Sequence, residues 1–250
     1  MEIGVSTRDV QQFEGDALAV GVFAGEAFSG PAATLDEALA GVIAELRAGG
    51  EVTGAADELV LLHTLAKIEP ARVAIVGLGK REQFTLDRVR RASAIASRAL
   101  RKACARRIGL ALAWADSGLN LAQAARASIE GAMLGLYEFH RYKSDGRDGD
   151  SPSGQRHIDS ITIIGRGREP ALRAAVERGQ ILAEATNFAR DLGNEPPNVL
   201  TPTEFAERAR RMADEVGLEC EIFGPEWMRE QGMGALLGVA QGSRQEPRLI

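Results

Sequence analysis

Short apolar runs separated by stretches of helical spacing narrow the fold of this chain more than any other feature. Ala17–Phe23, Glu58–Thr64, Arg72–Leu78, Ile108–Trp114 and Ile158–Gly165 are apolar and short, as strands buried in a sheet are. Leu35–Leu46, Leu86–Ala103 and Leu121–Tyr142 carry helical periodicity. Thr34 and Asn120 stand as caps before the first and third, and Gly49-Gly50 follows the first. Strands alternating with helices predict the α/β class with a mainly parallel sheet. Aromatics are only 5% of the 250 residues, while alanine and glycine abound, which suits helices packed closely on a sheet.

The second half is more helical. Ser144–Gly154 has no apolar residue and is dense in turn formers, so an exposed, mobile loop is expected there. Pro170 opens a long helix to about Asp191, with Leu172, Val176, Leu182 and Phe188 as its apolar stripe. The next segment, Asn194-Glu-Pro-Pro-Asn-Val-Leu-Thr-Pro202, is a proline-locked connector. Pro196 and Pro197 cannot continue a helix, and Pro196 drives Glu195 toward extended geometry. Thr201 is placed as an N-cap, with Pro202 at the first helical position and Glu204 three residues beyond the cap. A helix over Thr203–Val216 follows. Then come a strand over Leu218–Phe223, a short helix over Pro225–Gln231, and strand material at Ala235–Ala240 and Arg248–Ile250. The last pattern breaks off at Ile250 without a turn, which reads as a fragment of something longer.

The balance of 45% hydrophobic and 26% charged residues is that of a globular protein. The net charge of −5 argues against a general nucleic-acid binder. The N-terminus has no basic start followed by an apolar core, and no apolar run approaches the length of a membrane span. A soluble cytoplasmic protein is the expectation. Cys104 and Cys220 form no CxxC pair and are expected as buried free thiols.

Chemistry-bearing patterns are scarce. His63, His140 and His157 are the only histidines, and none sits in a metal-ligand frame. Glu184 and Asp191 read as readily as solvated carboxylates as functional ones. No GxSxG is present. Gly77-Leu-Gly79-Lys80 follows a strand, where phosphate loops sit. However, Glu82 replaces the third glycine of GxGxxG, and Ala74 and Arg81 break the Walker pattern, so a tight turn is the default. Gly165-Arg-Gly167 fails likewise at Pro170. Arg90, Arg91, Arg98, Arg101 and Lys102 form one face of the helix over 86–103, opposite Val89, Ala92, Ala96, Ala99 and Leu100; such a face ordinarily meets water.

The wording of the connector resembles that of the leucyl aminopeptidases, a family of two-metal exopeptidases. Gly232-Met-Gly234, Gly238-Val-Ala-Gln-Gly-Ser243 and Pro247-Arg-Leu-Ile250 agree with it, as do Val76-Gly-Leu-Gly-Lys80 and Gly131-x-x-Leu134-x-x-Tyr137-x-Phe139-x-x-Tyr142-Lys143. The resemblance covers essentially the whole chain.

It implies a macro-like N-terminal α/β domain over 1–169. Over 170–250 it implies a linking helix and the truncated start of a second, zinc-exopeptidase-like α/β domain. It also implies release of N-terminal residues, leucine preferred, from peptide substrates by two divalent metals, manganese or zinc, and a homo-oligomer, a hexamer. No position here matches a catalytic or metal-binding residue of the family, so none is assigned, and this chain alone is expected to be inactive. Asn194, Pro196, Asn198, Thr201 and Pro202 match the family connector and take a structural role. Two alternatives stand beside this reading. One is a macro-like module binding ADP-ribose or another nucleotide through Gly77–Lys80. The other is a regulatory truncated paralogue, co-assembling with an active enzyme or acting in DNA architecture.

Overall fold

The computed structural model describes residues 1–112, 118–142 and 156–250. Its centre is the unbroken apolar run Ala17–Phe23, a strand buried along its whole length. The strands are β1 (Glu2–Ser6), β2 (Ala17–Phe23), β3 (Leu59–His63), β4 (Arg72–Gly79), β5 (Arg107–Ala111) and β6 (Ser160–Ile164). They form one sheet in the order β1-β6-β5-β2-β4-β3, parallel throughout except for the antiparallel edge pair β3–β4. Central parallel strands are covered on both faces, so they read as continuous apolar runs.

The described helices are α1 (Gly30–Ala38), α2 (Val42–Ala48), α3 (Leu86–Lys102), α4 (Leu121–Leu136), α5 (Glu169–Asn194), α6 (Pro202–Val216), α7 (Pro225–Glu230) and α8 (Gly234–Ala240). Alternate residues of β2 face opposite layers. Ala17 and Ala19 join the core with Val89, Leu100, Ile129 and Val176 from α3, α4 and α5. Leu18, Val20 and Val22 join Leu35 and Ile43 from α1 and α2.

Where α3 crosses α4, small residues let the backbones approach. A Cβ on Gly131 would lie 2.6 Å from the Cα of Arg90, and one on Gly135 would lie 2.7 Å from the Cβ of Ala94. Ser93 and Ser128 satisfy each other across the same contact at 2.8 Å.

Two compact units divide the chain, Met1–Asn187 and Phe188–Ile250, and the division falls inside α5. The second unit holds α6, α7, α8 and one antiparallel bridge, Phe223–Leu249. Trp227 stacks on Phe223 there with ring centroids 4.1 Å apart.

Several expectations change. The helix over Leu35–Leu46 is two helices, because Ala40 and Gly41 take left-handed φ values of 60° and 81°. The cap of the first is Ser29 rather than Thr34. β1 escaped the sequence pattern, since its partner β6 lies far along the chain. β5 ends at Ala111 rather than Trp114, which lies outside the described residues, as does the loop Ser144–Gly154.

The helix from Leu121 ends at Leu136, not Tyr142. Tyr137 turns extended, and Arg101 donates to the Leu136 carbonyl at 2.9 Å, satisfying a helix-end acceptor from another element. The buried stripe of α5 is Leu172, Val176, Gly179 and Ala183, whereas Leu182 and Phe188 are exposed. At about 100° per residue the buried set stays on one face, and Leu182 and Phe188 turn away from it. Ala235–Ala240 is helical rather than extended, and Leu218–Phe223 contributes only the bridge at Phe223. A helix satisfies its own backbone, while a strand in this unit would need a ladder partner. Cys104 is exposed and Cys220 half-buried, so neither is the buried thiol expected.

Candidate functional site

The connector carries the densest set of sequence-matched residues. α5 continues to Asn194, three residues past the expected stop at Asp191, and the amide of Glu195 still donates to the Asp191 carbonyl at 3.2 Å. The prolines then end it. Val199 and Leu200 both donate to the carbonyl of Pro196 at 2.9 Å, which folds Asn198 into a tight turn. Thr201 caps α6 as its sequence position requires, its hydroxyl accepting from the amide of Glu204 at 3.3 Å, with Pro202 at the helix start. Asn194, Asn198 and Pro202 are exposed, and Pro196 and Thr201 are half-buried.

The connector's buried residue is one that the sequence did not single out. Glu195 is buried, its side chain has no exposed surface, and Arg208 donates to it at 2.8 Å. Arg208 also donates to Glu204 at 2.8 Å, and Arg211 reaches the same carboxylate at 3.1 Å. The hydrogen bonds from Arg208 and Arg211 hold the Glu204 carboxyl below its ordinary pKa. The spacing of Glu204 and Arg208 at i, i+4 was a readable signal. Nothing local marked Glu195 as their partner. The carboxylates here are paired with guanidinium groups, an arrangement that holds the turn against α6.

The other candidate positions are occupied in similar ways. Beside Gly77, where a ligand phosphate would need room, the chain itself closes in. A Cβ there would lie 2.9 Å from the carbonyl carbon of Ala55 and closer still to its oxygen. The glycine thus serves the approach of the 54–56 backbone to β4. Gly79 takes a left-handed φ of 79°, and Lys80 beyond it is exposed.

The C-terminal ends of parallel strands are where α/β folds bind ligands. At that end of β2, Arg81 binds Glu26 with contacts of 2.9 and 2.6 Å and lies over the ring of Phe23. Arg47 lies over Phe28 and donates to the carbonyls of Glu26 and Phe23. Burial lowers the Arg47 pKa, partly offset by Glu58.

On α3, Arg91 pairs with Asp57 and Arg101 with Glu138, while Arg90 binds Glu130 of α4 at 2.6 Å. The expected basic face is therefore partly consumed within the fold. Glu130 is 8% exposed and also meets Arg126 at 3.1 Å; its hydrogen bond raises the Arg90 pKa despite burial.

The three histidines do not converge. His63 is exposed on β3, His140 pairs with Glu138 at 2.7 Å, and His157 pairs with Asp159 at 2.8 Å. Glu184 is exposed and accepts from Gln180, and Asp191 is half-buried near the end of α5. Among the described residues no group of three or more His, Cys, Asp or Glu side chains is placed to hold a metal ion. These residues do not fit a two-metal centre. Among the described residues no helix is long and apolar enough to cross a membrane.

Comparison with known proteins gives this geometry its context. Residues 19–146 match the cytosol aminopeptidase family, N-terminal domain, and residues 187–250 match the catalytic domain of the same family. A probable cytosol aminopeptidase of Solibacter usitatus is 42% identical over all 250 residues, which cover 48% of its length. One of Syntrophotalea carbinolica is 37% identical over the same span and is covered to 50%. The chain thus spans about half the length of these relatives.

Among solved structures, a tomato leucine aminopeptidase variant superposes with a TM-score of 0.84 at 26% identity, covering 99% of this chain and 49% of that one. The bottromycin maturation enzyme BotP, in complex with Mn, superposes with a TM-score of 0.74 at 32% identity, covering 94% and 44%. With the N-terminal-domain match taking in just over half of its residues and the catalytic-domain match beginning within α5, the chain belongs to the cytosol aminopeptidase family.

Proposed function

We propose that these residues are the first half of a leucyl aminopeptidase-type, metal-dependent exopeptidase that releases N-terminal amino acids, leucine preferred, from peptides. The match of all 250 residues to cytosol aminopeptidases supports this reading most directly. Residues 1–169 act as the macro-like N-terminal domain, and 170–250 as the linking helix and the start of the peptidase domain. The connector residues Asn194, Pro196, Asn198, Thr201 and Pro202 link the two.

The two metals, manganese or zinc, and the residues that ligate them belong to the part of the enzyme outside these 250 residues. A bound metal pair supplies a water of lowered pKa and a polarised carbonyl. The enzyme works in the cytoplasm as a homo-oligomer, a hexamer, assembled through the N-terminal domain.

The test uses two proteins: the 250-residue chain, and the same chain fused to the unmatched half of the Solibacter usitatus relative. Each is assayed with leucine p-nitroanilide in the presence of Mn²⁺ or Zn²⁺. The fusion is expected to turn over, with leucine ahead of other residues, and the short chain is not. Chelator-sensitive turnover by the short chain would place the metal site within it. A folded fusion with no turnover would refute the peptidase assignment.

A further inference from the structure

Helix α8 is built only of Gly, Ala, Leu and Val, yet none of its residues is buried. Val239 is 87% exposed and Leu236 is 38% exposed. A helix apolar all round belongs inside a fold. A Cβ on Gly238 would meet nothing within 4 Å. The helix thus carries the low propensity of an interior glycine with no close packing in return. Elsewhere in the same unit Phe205, Val216 and Leu218 are also exposed. Among the described residues, large apolar side chains exposed to that degree outside this unit are Leu65 at 84% and Ile181 at 64%, both in the first unit. Scattered exposed apolar residues are ordinary, but a wholly apolar helix in water is not.

The relatives indicate what covers it. They match this chain along its full length and carry about as much chain again, and the catalytic-domain match begins only at residue 187. We propose that α8 is a docking element for the portion of the catalytic domain that the relatives carry and these 250 residues do not. This inference rests on the family reading above, but it concerns assembly rather than turnover.

The unmatched half of the Solibacter usitatus relative is prepared as a second polypeptide and titrated with the 250-residue chain by sedimentation and calorimetry. A one-to-one complex is expected, and Val239→Asp weakens it at least tenfold. Val239→Asp leaves the melting temperature of the 250-residue chain alone unchanged, because the side chain already lies in water. Should the isolated half not fold, the fused single chain supplies the same contrast: Val239→Asp lowers the melting temperature of the fusion only.

A complex or fusion indifferent to both Val239→Asp and Leu236→Asp overturns the proposal. So does a self-dimer of the 250-residue chain that Val239→Asp dissolves, which would make a second copy the occupant. Leucine p-nitroanilide turnover is read in parallel. A Val239-dependent complex without turnover rejects the peptidase assignment and keeps the docking element. Turnover indifferent to Val239→Asp does the reverse.

Discussion

Gly131→Ala tests the packing of α3 on α4, because two opposing effects can be weighed from the structure. Gly131 is buried within α4, where replacing an interior glycine by alanine ordinarily stabilises a helix by about 1 kcal/mol. Here the added Cβ would lie 2.6 Å from the Cα and 2.7 Å from the carbonyl carbon of Arg90. Both are backbone atoms, so no rotamer change relieves the clash, and α3 must retreat by most of an ångström. A gap of 0.5–1 Å forfeits about a quarter to a half of each dispersion contact along the seam, and overpacking of this kind costs about 1–3 kcal/mol.

The Ser93–Ser128 hydrogen bond and the Arg90–Glu130 pair stretch with it. The cost exceeds the gain, and a net loss of about 1–2 kcal/mol is expected. That lowers the melting temperature by roughly 2–8 °C for a chain of this size. Gly193→Ala in α5 serves as the reference. Nothing lies within 4 Å of its Cβ position, and a gain of about 0.5 kcal/mol is expected. Both variants are melted by circular dichroism beside the parent. A Gly131→Ala protein as stable as the parent, or more so, would refute the close-approach argument.

Arg208→Gln removes the guanidinium facing a carboxylate with no exposed surface, and should destabilise the connector and α6 by about 3 kcal/mol. Hydrogen exchange of the α6 amides reads this, and unchanged protection would show that the pair carries no weight. Asp16→Asn tests the tie between the start of β2 and the start of β5. Burial raises the Asp16 pKa, but the backbone amides of Arg107 and Arg106 and the Arg107 side chain outweigh it and hold the pKa below its ordinary value. Stability from a depressed carboxyl is present above its unfolded pKa and is lost as pH falls through the folded one. The variant should therefore melt below the parent at neutral pH, with the gap closing as pH drops below about 3.9. A gap independent of pH would assign the effect to shape rather than charge.

The peptide order of this chain already determined the elements whose signals are local. The apolar run Ala17–Phe23 can satisfy both covered faces only as a central strand, and it is one. Thr201 and Pro202 begin α6 because a hydroxyl cap and a preset φ act on the next few residues alone. The connector wording also carried the family assignment, since a run of nine residues states its own identity whatever surrounds it.

Tertiary structure decided what depends on partners distant in sequence. β1 exists because β6 lies beside it, and α4 stops at Leu136 because Arg101 takes its last carbonyl. Glu195 became the buried charge of the connector only when Arg208, thirteen residues on, folded back to it. Ala235–Ala240 shows where one sequence leaves two answers. An apolar run of that length fits strand or helix equally by periodicity, and its backbone took the form that needs no neighbour to complete its hydrogen bonds.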